Sequence, residues 1–293
     1  MIIANQLFTG ISFGAVLLLI ALGLALTFGQ MNVINMAHGE LIMAGAYTVY
    51  MLQQVITSAG ASLLVAVPVA FVVSGAIGVV IEILLLRRLY GRPLDTLLVT
   101  WGVSLVLQQA ARDIFGAPNK QTTAPSWLAG AIELGDFTLP ASRLFILALA
   151  LGAVAALSLL LRRTSLGRRI RAVVGNRDLA ETSGIPTGRV DRLTFFVGSG
   201  LAGVAGVALT LLGAIGPSMG TSYIIDAFLV VVVGGLGQLK GSVIMAFALG
   251  MLNAFSEYQY GPSLAKVIVF VAIVAFIQWR PQGLFSVRTR SLA

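Results

Sequence analysis

The residues that could do chemistry are few, and most sit inside apolar stretches. Between Phe28 and Glu40 come Gln30, Asn32, Asn35, His38 and Glu40, with no Lys or Arg among them. Thr100, Trp101, Gln108 and Gln109 lie in a later apolar stretch, and Asp226 stands between Ile225 and Ala227. Amides, hydroxyls and an imidazole are the groups that hold a neutral polar solute by hydrogen bonds. Helical spacing places Asn35, His38 and Ile42 on one face. Trp101 and Gln108, nearly two turns apart, could share another; helix packing is the competing reading for Trp101. For His38 and Glu40, a structural hydrogen-bond network and a solute contact are equal readings.

The remaining acids have plainer explanations. Glu82 lies five residues before Arg87 and is expected to reach water. Asp113 follows Arg112 and reads as a surface pair or a cap. Glu257 lies beside Tyr258 and Gln259 at a helix end, and Asp226 could cap a helix start. One His and no Cys leave no structural zinc site, disulfide framework or thiol nucleophile. No cofactor is expected. No ladder of carboxylates or string of basic residues runs through the apolar stretches, as a proton relay or voltage sensor would need.

The elements that position these groups follow from composition. Of 293 residues, 58% are hydrophobic and 10% charged, where a soluble chain carries about 25% charged. That excludes a soluble enzyme. At about 20 apolar residues per span, continuous rather than alternating runs predict an all-α, polytopic membrane helix bundle of about 8–9 spans, forming one transmembrane domain over 1–293. The expected spans are 6–28, 35–56, 63–86, 95–114, 143–161, 193–213, 223–237, 241–257 and 263–279.

The net charge of +8 reports topology in such a chain rather than a nucleic-acid partner. Basic residues cluster at Arg87–Arg92, across 162–192 and at Arg280–Arg290. The segment 162–192 holds eight Arg against Asp178, Glu181 and Asp191. The positive-inside rule puts these clusters in the cytoplasm, with the C-terminus, and the nearly neutral loop 115–142 outside. Span parity then places the N-terminus outside. With no basic residue before Arg87, Ile11–Phe28 reads as a retained span and not a signal peptide.

Two regions interrupt the apolar pattern: Phe28 to Glu40, and Gly213 to Gly220 followed by Tyr223 to Asp226. The first reads as a broken helix. For 213–222, a broken helix and a surface turn are equal readings. Each interruption follows a span, and the two spans run in opposite directions by the parity above. That predicts an inverted repeat of roughly 1–115 and 193–290, whose interrupted helices flank a transported solute. Gly198, Ala202 and Gly206 form a small-residue stripe suited to close helix contact. Gly234 to Gly241 reads as a tight inner corner. Lys240-Gly241-Ser242 lacks the preceding Gly of a phosphate-binding loop, so energy must come from a partner.

In the 162–192 segment, Asn176 can cap a short helix that Gly184 ends and Pro186 cannot continue. Arg162 to Arg171 reads as an anchor on anionic membrane lipid. The helix itself, little charged along Leu179–Ile185, reads as a docking element for another protein.

Four motifs carry a resemblance to a known family: Asn35-Met36-Ala37-His38-Gly39-Glu40, the loop Arg171 to Pro186, Leu201-Ala202-Gly203-Val204-Ala205-Gly206, and Arg280-Pro281-Gln282-Gly283-Leu284-Phe285. In this order they resemble the permease subunits of branched-chain amino-acid-type ABC importers, bacterial inner-membrane proteins. The stretches Arg92 to Gly102, Leu107 to Ala110 and Phe276 to Pro281 are most similar to the urea-transport branch, though Asn32 stands where that family has Gly. The resemblance implies urea as cargo, with branched-chain amino acids or related amides as the alternative. A stand-alone channel or ion-coupled carrier is the reading from another class. The implied partners are a second permease subunit, two cytoplasmic ATP-binding subunits and an extracytoplasmic solute-binding protein. The implied translocation path draws on Asn32, Asn35, His38, Glu40, Thr100, Trp101, Gln108 and Asp226. Coupling to the ATPases would fall on Asn176, Asp178, Ala180, Glu181, Gly184 and Ile185.

Overall fold

The computed structural model describes residues 2–31, 33–134 and 137–285. Its helices are α1 (Ile2–Met31), α2 (His38–Val55), α3 (Ala59–Leu84), α4 (Pro93–Phe115), α5 (Ala141–Arg163), α6 (Ser165–Gly175), α7 (Arg177–Thr182), α8 (Thr187–Leu209), α9 (Met219–Gly234) and α10 (Leu239–Trp279). A hairpin of β1 (Ala131–Leu134) and β2 (Phe137–Pro140) precedes α5, pairing Ala131 with Pro140. Every expected apolar stretch falls on one of these helices. The last two are limbs of α10, which breaks at Gly261 (φ 79°, ψ 168°) just before Pro262. That left-handed-side backbone needs Gly, and Pro brings no N–H to continue the ladder.

Among the described residues, five helices are long and apolar enough to cross a membrane: α1, α3 with the turn after it, α5, α8 and α10. The others differ for a reason that matters here. Helices α2 and α4 carry Glu40, Thr100, Gln108 and Gln109, and α9 has only 16 residues. The two polar helices and the short α9 build the site, and the long apolar helices enclose it.

Helix α1 is apolar all round, the pattern of a helix buried on every side, and Ala15 to Leu22 are buried to within 1%. By contrast, α5 lies on the periphery, with Leu151 and Leu159 exposed. Around α1 the two halves exchange partners. Helix α1 packs on the first limb of α10, and α8 packs on α3; α2 packs on α8, and α9 on α1. This reciprocity is the contact pattern that a two-fold repeat predicts. At the crossing of α1 and α8, a Cβ on Gly23 would lie 2.2 Å from the Gly198 carbonyl oxygen, and one on Gly198 would lie 2.8 Å from that of Gly23. Lipid supplies no hydrophobic drive between helices, so contact this close is what holds them.

The loop after α4 is strapped over the second interruption. Lys120 and Ile215 exchange backbone hydrogen bonds at 2.8 and 2.9 Å. Thr122 Oγ1 donates to the Thr210 carbonyl at 3.1 Å, and Gln53 and Thr123 exchange two hydrogen bonds at 2.9 Å. Ile215 to Pro217 are buried while Leu212 to Ala214 are exposed. The segment 210–218 therefore interrupts the helical path between α8 and α9, and the Ile215 backbone and the Thr210 carbonyl find partners in the loop after α4.

Candidate functional site: where two interrupted helices meet

The chain leaves α1 at Met31 and re-enters a helix at His38. Thr100 on α4 holds this unwound stretch in place. The Met36 N–H donates to Thr100 Oγ1 at 3.0 Å, and that hydroxyl lies 3.1 Å from the Ile34 carbonyl. Thr100 is fully buried, so its role is to position the break. The expected residue Asn32 lies outside the described residues.

Beyond the break, the starts of α2 and α9 touch through their backbones. A Cβ on Gly220 would lie 2.0 Å from the Gly39 carbonyl oxygen, and one on Gly39 would lie 2.8 Å from that of Gly220. Only glycine on both sides permits this approach. It brings Glu40 and Thr221, each one residue further on, to the same junction. Ser104 Oγ and Gln108 Nε2 both donate to Glu40 Oε1 at 2.9 Å, and Gln108 Nε2 also lies 3.2 Å from Thr221 Oγ1. Helices α2, α4 and α9 are thus joined by one polar cluster. Glu40 Oε2 is buried without a partner among the described residues. A bordering cleft of about 530 Å³ runs along α2, α3 and α4, from Glu40 past Tyr47 to Phe115.

The sequence reading identified Glu40 and Gln108 but missed Ser104 and Thr221. Ser104 was detectable: Thr96, Thr100, Ser104 and Gln108 form a polar i, i+4 stripe, all buried. Thr221 became visible only when the fold set α9 beside α2.

Several expected contacts fall elsewhere. Trp101 does not share the buried face of Gln108; its side chain is 55% exposed. The buried stripe follows the i, i+4 ridge, which winds round α4 and leaves Trp101 on the flank. Asn35 and His38 are buried in the core. His38 Nε2 faces the Ile20 carbonyl at 3.2 Å, while His38 Nδ1 and both polar atoms of the Asn35 side chain have no partner among the described residues. Asp226 is no helix cap, because α9 starts seven residues earlier at Met219. It lines a separate cleft with Lys266. Asp113 is paired, but with Gln109 at 2.8 Å rather than with Arg112. Among the described residues, no cluster of three or more His, Asp or Glu could hold a metal ion.

The 162–192 segment folds largely as its sequence implies. Asn176 Oδ1 accepts from the Leu179 N–H at 2.9 Å, opening α7, and Gly184 (φ 80°) ends it. Ala180 is buried with Ile170, Val173 and Val190, and Ile185 is half-buried against them. Ala180 therefore anchors the helix from within and offers no outward surface. Asp178, Leu179 and Glu181 face outward.

Beneath α7 lies a polar latch that the sequence reading missed. Arg177 Nη2 donates to Asp191 Oδ2 at 2.6 Å, and its guanidinium stacks 5.3 Å from the Tyr90 ring centre. Tyr90 in turn donates to Glu82 Oε1 at 2.7 Å. Glu82 is buried and does not reach water as expected, because Tyr90 covers it. Burial and the hydrogen bond to Glu82 push the Tyr90 phenol well above its ordinary pKa, so it remains a donor. The latch ties α7 to the end of α3 and the start of α8, one helix from each half.

An interrupted-helix junction inside a helical membrane bundle is an arrangement that transport proteins use. Consistent with this, residues 6–277 match the family described as branched-chain amino acid transport system / permease component, and the chain belongs to that family. It is 29% identical over 292 residues to the high-affinity branched-chain amino acid transport system permease protein BraD of Pseudomonas aeruginosa, covering 96% of this chain and 94% of that one. It is 30% identical, with the same coverage, to the corresponding protein LivH of Escherichia coli K12. A probable branched-chain amino acid transport permease protein of Methanocaldococcus jannaschii is 28% identical over 302 residues, covering 96% of this chain and 92% of that one.

Proposed function

We propose that this chain forms half of the translocation pore of an ATP-driven ABC importer in a bacterial inner membrane, with branched-chain amino acids as cargo. The observation that carries the pore reading is the Gly39–Gly220 contact, which sets two interrupted helices face to face around a polar cluster. The cargo reading rests on the relatives that match end to end, whose names specify branched-chain amino acids.

In this reading the loop 115–142 faces outward and receives a solute-binding protein. The 162–192 segment and the C-terminus face the cytoplasm. Two ATP-binding subunits dock on the outward side chains of α7 and of its counterpart in a second permease. Their closure pulls on the Arg177–Asp191 and Tyr90–Glu82 latch, which moves α3 and α8 together. Glu40, Ser104, Gln108 and Thr221 then border the path on which cargo passes.

A second reading, urea as cargo, is favoured by the chemistry of that cluster. Its carboxylate, amide and hydroxyls at 2.9–3.2 Å spacing suit a neutral diamide, and the stretches 92–102, 107–110 and 276–281 resemble the urea branch. Uptake of radiolabelled leucine and urea at micromolar concentration in a deletion strain separates the two. Loss of leucine uptake supports the first reading, and loss of urea uptake alone supports the second. Normal uptake of both overturns both.

A further inference from the structure

Beside the Gly39–Gly220 contact, α9 and the second limb of α10 leave a cleft of about 440 Å³. It begins at Thr221, the same residue that closes the Glu40 cluster through Gln108. Two charges line it, Asp226 on α9 and Lys266 on α10. Asp226 is the one charged residue of α9, and Lys266 the one basic residue of α10 after Lys240. Among the described residues they form no ion pair with each other or with any other group. Charged side chains within apolar helices are expensive and face a cavity or a partner. Here an anion and a cation that form no ion pair face one cleft, lined beside them by Leu229 on α9, by Val267 and Phe270 on the second limb of α10 and by Asn253 on its first limb.

That arrangement is complementary to one class of small molecule. An α-amino acid presents an ammonium and a carboxylate on one carbon and, in the aliphatic members, an apolar branch beside them. We propose that the cleft is a transient site for a zwitterionic amino acid with an aliphatic side chain. The ammonium faces Asp226, the carboxylate faces Lys266, and the side chain lies on Leu229, Val267 and Phe270. A neutral diamide would leave both charges unmatched. The proposal rests on the amino-acid reading above and assigns to it a specific place.

The test needs no transport. The chain has no Cys, so Ser222→Cys, on the cleft wall, places a single thiol in it, with Ile225→Cys as a second reporter. The complete transporter in membrane vesicles is labelled with a cationic methanethiosulfonate reagent. Leucine is expected to slow labelling by about tenfold at about ten times its dissociation constant, while urea does not. In Lys266→Met, labelling should persist and protection by leucine should disappear. A labelling rate indifferent to leucine, no labelling of either thiol, or protection that survives Lys266→Met overturns the site. Failure of the amino-acid reading itself is recognised separately, as unchanged leucine uptake in the deletion strain.

Discussion

Gly39 and Gly220 meet backbone to backbone, each so close to the other's carbonyl that a methyl group on either would collide with it. This contact fixes the distance between the starts of α2 and α9. It therefore fixes whether Gln108 can reach Glu40 and Thr221 at once. Gly220→Ala is expected to force α9 away, at a cost of about 1–3 kcal/mol from overpacking, and to reduce uptake far more than it reduces expression. Gly102→Ala, with open space around it, should leave uptake and thermal stability unchanged. Uptake assays and melting of the purified complex check both.

The Glu40 cluster makes a prediction about coupling. Ser104 and Gln108 share one carboxylate oxygen, so removing either donor leaves a buried acceptor less satisfied. Hydrogen bonds to charged groups contribute about 1.5–3 kcal/mol. A double-mutant cycle of Glu40→Gln and Gln108→Ala, read by thermal stability, should show a coupling of about 1 kcal/mol or more. Additive effects would mean that the two side chains act independently.

At α7 the inward and outward residues should separate cleanly. Leu179 is 64% exposed, whereas Ala180 is 4% exposed. Leu179→Arg is expected to leave assembly of the fold intact while uncoupling ATP hydrolysis from uptake. Ala180→Arg buries an unpaired charge and should lower the yield of folded protein. Melting temperature and the ratio of ATP hydrolysed to solute moved distinguish the two.

The latch is tested through Tyr90. Tyr90→Phe keeps the ring under Arg177 but removes the donor to Glu82. A buried acceptor deprived of its donor costs about 1–3 kcal/mol, so a matching loss of stability is expected. Combining it with Glu82→Leu, which removes the orphaned carboxylate, should recover part of that loss.

Much of the fold was legible because lipid imposes a simple rule. Continuous apolar runs located helices α1 to α5 and α8 to α10, and Asn176, Gly184 and Pro186 bounded α7 to within a residue or two. The failures share a cause. Composition shows that Glu82 is near a basic cluster but not that Tyr90 folds over it. Spacing sets Trp101 and Gln108 at nearly the same angle around α4, but does not show that Gln108 is buried against Glu40 and Thr221 while Trp101 stays exposed. The cleft of Asp226 and Lys266 joins residues 40 positions apart, and neither has a neighbour in sequence to signal the other. Partners on separate helices are set by packing of the whole bundle, which no local pattern encodes.

The most direct test of the proposed role is reconstitution in proteoliposomes, with and without the ATP-binding subunits. With this chain, its partner permease, the ATP-binding subunits and loaded binding protein, solute uptake should begin on addition of ATP and stop without it. The permease subunits alone should move no solute above background. Full-rate uptake by the membrane subunits without ATP-binding subunits would mean that the chain is a channel or an ion-coupled carrier.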